Sequence, residues 1–142
     1  MTDHRGLPAA PTLARLAFVA FLGIYGVRCL VRPDEYRLLD NVDVAIHETG
    51  HLVFAPFGEF ITALGGTLFQ LIVPLAFVVA FLRRGDRFAA SVVLWWVAQN
   101  LWNISVYVRD ARAQVLPLVG GGEHDWAYLL AELDLLPRDQ EV

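Results

Sequence analysis

The sequence predicts an all-α integral membrane protein, a polytopic bundle of three to four apolar helices plus a short C-terminal amphipathic helix. Three observations support this prediction. Of the 142 residues 56% are hydrophobic and 18% are charged, whereas soluble domains carry about 25% charged residues. The mean hydropathy is +0.49. Formal charges are absent from three long runs, residues 16–27, 60–82 and 88–108. A soluble domain of this size cannot bury such runs on every face, so we expect one membrane-embedded domain over residues 1–142.

The composition also excludes other classes of protein. The net charge is −4, all 11 basic residues are arginines, and no basic patch with interleaved aromatic residues indicates nucleic-acid binding. Cys29 is the only cysteine, so the chain can form neither an internal disulfide nor a thiolate metal cluster. The expected partner is therefore the lipid bilayer.

The chain is expected to begin with a tail and one apolar helix. Residues 1–11 are polar and contain proline, which is typical of a flexible tail. Segment 13–31 carries Arg15 and Arg28 near its ends, where both side chains can reach the membrane interface. Its uncharged centre is short enough for the hydrophobic region of a signal peptide, but no small-x-small cleavage pattern follows. We therefore expect a retained helix.

A second helix is expected after Pro33, over about residues 41–57. Asp40 or Asn41 can cap it, because short polar side chains accept hydrogen bonds from the free N–H groups at a helix start. The length of this helix leaves two possibilities open, a short membrane span and a re-entrant helix.

A third and a fourth apolar segment follow, at residues 61–82 and 88–108. The third reaches roughly 33 Å at a rise of about 1.5 Å per residue, enough to cross a bilayer core. Its Gly65-Gly66 pair, together with Gly50, would let the second and third helices approach closely. The tryptophans and Tyr107 of the fourth segment are interpreted as packing and interfacial anchoring.

The C-terminal region is expected to hold a glycine-rich loop and one short helix. Residues 120–122 are three consecutive glycines. Asp125 is a natural N-cap for an amphipathic helix that runs to about Leu136.

One motif indicates a chemical function: His47, Glu48 and His51 form an HExxH pattern in the second helix. Residues at i and i+4 share a helix face, so both imidazoles can converge on one metal ion. The glutamate can take a proton from a water that the metal activates. Ionisable residues inside an apolar helix are costly and indicate a function, although the histidines could also pair with neighbouring polar groups. We predict one zinc ion per chain, with Glu48 as general base.

A catalytic zinc ion needs a third protein ligand. The metzincin pattern is excluded, because Phe54 and Phe57 stand where that class has Gly and His. Four downstream residues remain as candidates: Glu59, Asp110, His124 and Asp125. His124 ranks first because neutral imidazole is the commonest metal ligand, and Asp110 ranks second. Asp125 is expected to be a cap or a group that supports a ligand.

Further polar residues could support the site. Asp43, one turn before His47, could fix the tautomer of a ligand histidine, or it could simply favour the start of the helix. Gln99, Asn100 and Asn103 could hydrogen-bond a substrate backbone or stabilise an oxyanion. Hydrogen bonding between helices is the favoured alternative for these three.

The HExxH pattern in a hydrophobic helix resembles the intramembrane zinc metalloproteases of the site-two protease class. In that class the third ligand is an Asp in a later helix, within an LDG-type motif; this sequence has no LDG, and Asn103 and Asp110 are the nearest equivalent. The whole chain is more similar to small bacterial membrane proteins. Those proteins combine HExxGH, a Gly-Gly…Gln…Pro helix, a Trp-rich helix ending in Tyr-x-x-Asp-Ala, and His-Asp-Trp, here at residues 47–54, 65–74, 95–111 and 124–126.

This resemblance implies a minimal metalloprotease-like domain in the bacterial inner membrane. The expected activity is hydrolysis of a peptide bond within or near the bilayer, on a membrane-protein substrate that an adaptor protein helps to select. Two alternatives remain open. One is a pseudoenzyme that binds metal and a partner without catalysis, and the other is a metal-dependent lipid hydrolase.

Overall fold

The computed structural model describes residues 10–116 and 123–141, and every regular element within these ranges is a helix. The prediction of an all-α fold is therefore confirmed for the described residues. The described residues form five α-helices: α1 (Ala10–Val31), α2 (Leu38–Phe54), α3 (Glu59–Arg83), α4 (Arg87–Arg109) and α5 (Asp125–Glu132). Two 3₁₀ turns, Ala55–Phe57 and Leu136–Arg138, follow α2 and α5.

The chain divides into two compact units, residues 1–33 and residues 34–142. The first unit contains α1, whose apolar side chains point in all directions around the helix and are mostly exposed. Helix α1 begins at Ala10, so the last two residues of the predicted tail are helical. The rest of that tail, and the predicted glycine loop at 120–122, lie outside the described residues.

In the second unit α3 is the central helix. It packs along α2 on one side and against α4 and α5 on others. An apolar core forms where the C-terminal half of α4 meets α5, and it consists of Ile104, Val108, Ala111 and Leu130. This arrangement brings the start of α5 to the middle of α2 and α3.

The close approach of α2 and α3 depends on glycines. A Cβ atom added at Gly50 would collide with the backbone oxygen of Gly65, and one added at Gly65 would lie 2.6 Å from the Cβ of Phe54. Only glycine fits at these two positions, because it has no Cβ atom. The predicted role of these glycines in close helix packing is confirmed.

Two predicted helix starts are wrong. Helix α2 begins at Leu38 with Arg37 as its N-cap, because the Asp40 carboxylate accepts the Arg37 N–H from inside the first turn. At α5 the cap is His124, whose Nδ1 accepts the Ala127 N–H, and Asp125 is the first helical residue.

Two predicted helix ends also differ. Helix α2 gives way at Ala55 to a 3₁₀ turn. Helix α5 ends at Glu132 rather than near Leu136, because the chain turns at Asp134, whose φ of 56° lies in the left-handed region.

Two of the described helices are long and apolar enough to cross a membrane, Thr12–Val31 and Glu59–Arg83. Helix α2 has 17 residues, fewer than the roughly 20 that a full span needs. Helix α4 carries the buried amides of Gln99 and Asn100 near its middle. A bundle in which three or four helices cross the membrane stays a prediction.

Candidate metal centre

Two histidines and one aspartate converge in the second unit. His47 and His51 lie one turn apart on α2, and their ring centroids are separated by 4.8 Å. Asp125 at the start of α5 places its Oδ2 atom 2.9 Å from His47 Nε2 and 3.3 Å from His51 Nε2. The potential ligand atoms of the three residues all lie within 4.8 Å of one another. Because all three side chains are only partly buried, the group remains open to an incoming ion.

The other nitrogen of each ring is held by α3. His51 Nδ1 lies 2.8 Å from the backbone oxygen of Thr62, and His47 Nδ1 lies 3.3 Å from Gln70 Oε1. The Thr62 carbonyl can only accept, so a neutral His51 ring carries its proton on Nδ1 and a lone pair on Nε2. The Gln70 amide can accept or donate and is compatible with either tautomer of His47. The Asp125 carboxylate is an acceptor, so its contact with His47 Nε2 requires a proton or a cation between the two atoms.

The three side chains could hold a metal ion. Ligand atoms about 2.0–2.1 Å from a tetrahedral zinc ion are separated from one another by roughly 3.3 Å. The distances of 2.9 and 3.3 Å from Asp125 Oδ2 to the two Nε2 atoms are close to that value. Two imidazoles with one carboxylate are also a known donor set of catalytic zinc sites, in which the fourth position stays open.

Gly66 on α3 makes room for the ring of His47. A Cβ atom at this position would lie 2.5 Å from His47 Nε2 and 2.7 Å from the neighbouring ring carbons. Since ordinary contacts to Cβ begin near 3.4 Å, no other residue leaves this ring in place.

Two aromatic residues position Asp125. Trp126 donates from Nε1 to Thr67 Oγ1 over 3.1 Å, which fixes the start of α5 on α3. The Tyr107 hydroxyl lies 3.4 Å from Asp125 Oδ2 and accepts the Asp125 N–H over 3.3 Å. The Tyr107 ring also stacks on His124 with centroids 4.2 Å apart.

The structure does not bring His124 or Asp110 to the two histidines. Burial lowers the pKa of His124, which favours the neutral ring, and its Nδ1 lone pair already accepts the Ala127 N–H. The remaining nitrogen therefore carries the proton and lies 3.6 Å from Asp110 Oδ2. The Asp110 oxygens accept the N–H groups of Val115 and Leu116 and close the turn after α4. The geometry thus favours Asp125 over His124 and Asp110 as the third ligand.

Glu48 and Glu59 lie outside the ligand group. Glu48 is exposed on α2 next to His47. Glu59 is the first residue of α3.

The predicted supporting residues have other partners. The buried Asp43 carboxylate accepts a hydrogen bond from Trp96 Nε1 at 2.8 Å, so it does not orient a ligand histidine. Asn100 is fully buried and donates to the backbone oxygen of Trp96. Asn103 links α3 and α4 through Gln70. Hydrogen bonding between helices thus accounts for Asn103 better than contact with a substrate.

Sequence reasoning missed Tyr107, Gln70 and the Thr62 carbonyl. The tyrosine was interpreted as a membrane anchor, whereas its hydroxyl contacts Asp125. A glutamine inside a 25-residue apolar helix was a usable signal for Gln70, because an amide there needs a polar partner. No sequence signal indicates which backbone carbonyl faces a histidine.

Comparisons with protein-family models, curated proteins and solved structures gave no match to this chain.

Proposed function

We propose that this protein is a membrane-embedded zinc metallopeptidase that hydrolyses peptide bonds within or near the bilayer. One observation carries the proposal: two imidazole Nε2 atoms and one carboxylate oxygen face a common point, at separations suited to a tetrahedral ion. The second support is the HExxH spacing, which puts an exposed glutamate beside the first histidine.

His47, His51 and Asp125 would hold the zinc ion. When bound there, zinc supplies a Lewis acid that polarises a carbonyl group and activates water. Glu48 would accept the proton of the attacking water and pass it to the leaving amine. Tyr107 would hold Asp125 in place through its hydroxyl. With a proton on each Nδ1 atom, held by the α3 contacts, the Nε2 lone pairs would be available to the metal.

The membrane part of the proposal rests on α1 and α3, which have the length and composition of spans. Helices α2 and α4 would complete a bundle of three to four helices in the bacterial inner membrane. A substrate that reaches this site would be a segment of a membrane protein. We expect an adaptor protein to select the substrate.

The proposal is tested by zinc content and hydrolysis with purified protein. Wild-type protein should hold about one zinc per chain, and His47→Ala, His51→Ala and Asp125→Ala should each lose it. Glu123→Ala is the matched control, because this exposed acid lies two residues from Asp125. Glu48→Gln should keep zinc and lose cleavage of a quenched fluorescent peptide with an apolar segment in liposomes.

Three results would contradict this proposal. Zinc retention by all three ligand variants would remove the site. Peptide cleavage that survives Glu48→Gln would leave a non-catalytic metal-binding role for the motif. Hydrolysis of fluorogenic phospholipids, with no cleavage of peptides, would identify a lipid hydrolase.

A further inference from the structure

A buried cluster of polar side chains lies between α2 and α4, apart from the candidate metal centre. It consists of Asp43 on α2 and of Trp96, Gln99 and Asn100 on α4. The exposed fractions of Asp43, Gln99 and Asn100 are 1%, 7% and 0%. Asp43 Oδ1 accepts the Trp96 Nε1–H over 2.8 Å, and the amides of Gln99 and Asn100 lie against the same carboxylate. This group of four residues, the Asp43 cluster, therefore holds a carboxylate away from bulk water.

Three oxygen atoms of the Asp43 cluster have no hydrogen-bond partner among the described residues: Asp43 Oδ2, Gln99 Oε1 and Asn100 Oδ1. The orientation of the Asn100 amide is fixed, because its Nδ2 donates to the backbone oxygen of Trp96 over 3.0 Å. Turning this amide over would bring two acceptors together. Buried acceptors without a partner destabilise a fold, so these oxygens need a donor or a cation.

The negative charge of Asp43 is not balanced by a basic residue of the described chain. Asp43 forms none of the ion pairs found there. The charge that acts on it belongs to Asp40, which is also acidic, and Arg37 already stabilises the Asp40 carboxylate. A buried carboxylate without a counter-charge is costly, because the protein interior solvates it poorly.

Three species could satisfy these oxygens, and they differ in how many needs they meet. A water molecule donates to two acceptors but leaves the charge of Asp43 uncompensated. A proton on Asp43 Oδ2 removes the charge but reaches only one of the two amide oxygens. A cation neutralises the carboxylate and attracts both amide oxygens at the same time.

We propose that Asp43, Gln99 and Asn100 bind a monovalent hard cation, Na⁺, between α2 and α4. Carboxylate and amide oxygens are the ligands that hard cations prefer. One carboxylate balances one positive charge, whereas a divalent ion would leave a net charge in the interior. Mg²⁺ also keeps several of its waters, which an enclosed group of side chains does not accommodate.

The bound ion links two helices that both pack on α3. The hydrogen bonds from Trp96 to Asp43 and from Asn103 to Asp40 already connect α2 with α4. Na⁺ adds a further connection on the same faces and holds α2 in place. The inference does not depend on the proposed zinc site, since the Asp43 cluster shares no residue with it.

The test is thermal unfolding of the full-length protein in non-ionic detergent with a sodium-free chelator. NaCl replaces choline chloride stepwise at constant ionic strength, because choline is too large to enter a buried site. The melting temperature of the wild-type protein should rise with Na⁺ and then saturate. We expect a rise of about 4 °C when the Na⁺ concentration is about tenfold above the dissociation constant. Wild-type protein should also broaden the ²³Na NMR signal.

Two substitutions locate the ion. Asp43→Asn keeps the shape of the side chain but removes its charge, so the Na⁺ response should disappear. In choline chloride this variant should melt no lower than the wild-type protein, because it carries no unbalanced buried charge. Asp34→Asn is the matched control: it removes the same charge from an exposed position and should keep the full response. If Asp43→Asn does not fold, Gln99→Leu removes one ligand oxygen and should move the midpoint of the response to a higher Na⁺ concentration.

Two results would overturn the proposal. A wild-type melting temperature that does not depend on Na⁺ would show that a proton or water satisfies Asp43 instead. A Na⁺ response that the folded Asp43→Asn or Gln99→Leu variant retains in full would place the ion elsewhere. His51→Ala separates this inference from the proposed function, since it should lose zinc and keep the Na⁺ response.

Discussion

Replacing Gly66 by alanine should remove zinc binding without unfolding the protein. The added Cβ would lie 2.5 Å from His47 Nε2, whereas ordinary contacts begin at 3.4 Å, so the ring must retreat by roughly 0.9 Å. Zinc–ligand distances tolerate only about 0.2 Å, so His47 would no longer be a ligand. We expect zinc affinity to fall by at least about 100-fold, the upper end of the losses caused by disturbing a supporting partner.

The fold itself should tolerate this change. The colliding atoms belong to the far end of a side chain that can rotate away, and alanine is favoured over glycine in a helix by about 1 kcal/mol. Metal-free Gly66→Ala should therefore melt at or slightly above the wild-type temperature. The stabilisation that zinc adds should decrease by about 2.7 kcal/mol, the equivalent of a 100-fold loss of affinity.

The assay is thermal unfolding in detergent, with zinc and with a chelator, together with direct zinc titration. Gly23→Ala is the matched control, because this glycine lies in α1 and an added Cβ would meet nothing within 4 Å. It should leave the zinc-dependent stabilisation intact. Wild-type zinc affinity in Gly66→Ala would refute the reasoning, because it would mean that His47 does not bind the metal from its observed position.

Three further substitutions examine the supports of the site. Gly50→Ala brings a methyl group against the backbone oxygen of Gly65, so α2 and α3 must separate. We expect the free energy of unfolding to decrease by about 1–3 kcal/mol. An unchanged midpoint of chemical denaturation would contradict the packing argument. Tyr107→Phe removes the hydroxyl that contacts Asp125 but keeps the ring stacked on His124. Zinc affinity should therefore fall by up to about tenfold, with little change in melting temperature. Unaltered zinc affinity would show that the hydroxyl does not hold Asp125. Trp126→Phe removes the hydrogen bond to Thr67, so the free energy of unfolding should decrease by about 0.5–1.5 kcal/mol. Thr67→Val should decrease it by a similar amount. Because both variants remove the same bond, combining them should cause no further loss of stability.

Much of the helical architecture could be predicted from patterning. The apolar runs and the Arg83–Arg87 turn give α3 and α4 to within two residues, since long charge-free segments without strand periodicity form helices. The helix starts near Asp40 and Asp125 were misassigned. Several polar residues follow one another there, and the choice of cap depends on which side chain folds back on the backbone.

The candidate site, too, could be predicted from the sequence only in part. The four-residue spacing by itself puts His47 and His51 on one helix face, because four residues make about one turn. Gly50 and Gly66 also indicate a close helix neighbour from sequence alone. The partners on the other ring nitrogens, Gln70 and the Thr62 carbonyl, come from α3 and depend on how the helices are aligned.

The third ligand was decided only by the tertiary structure. His124 and Asp125 are adjacent in sequence, and imidazole is the more common metal ligand, so the sequence favoured His124. In the folded chain the His124 lone pair caps α5 and its ring is buried against Tyr107. The bond from Trp126 to Thr67 then directs Asp125, one residue further along, at His47 and His51. Local sequence determined two donors of the site, whereas the docking of a short helix, through contacts far apart in the chain, determined the third.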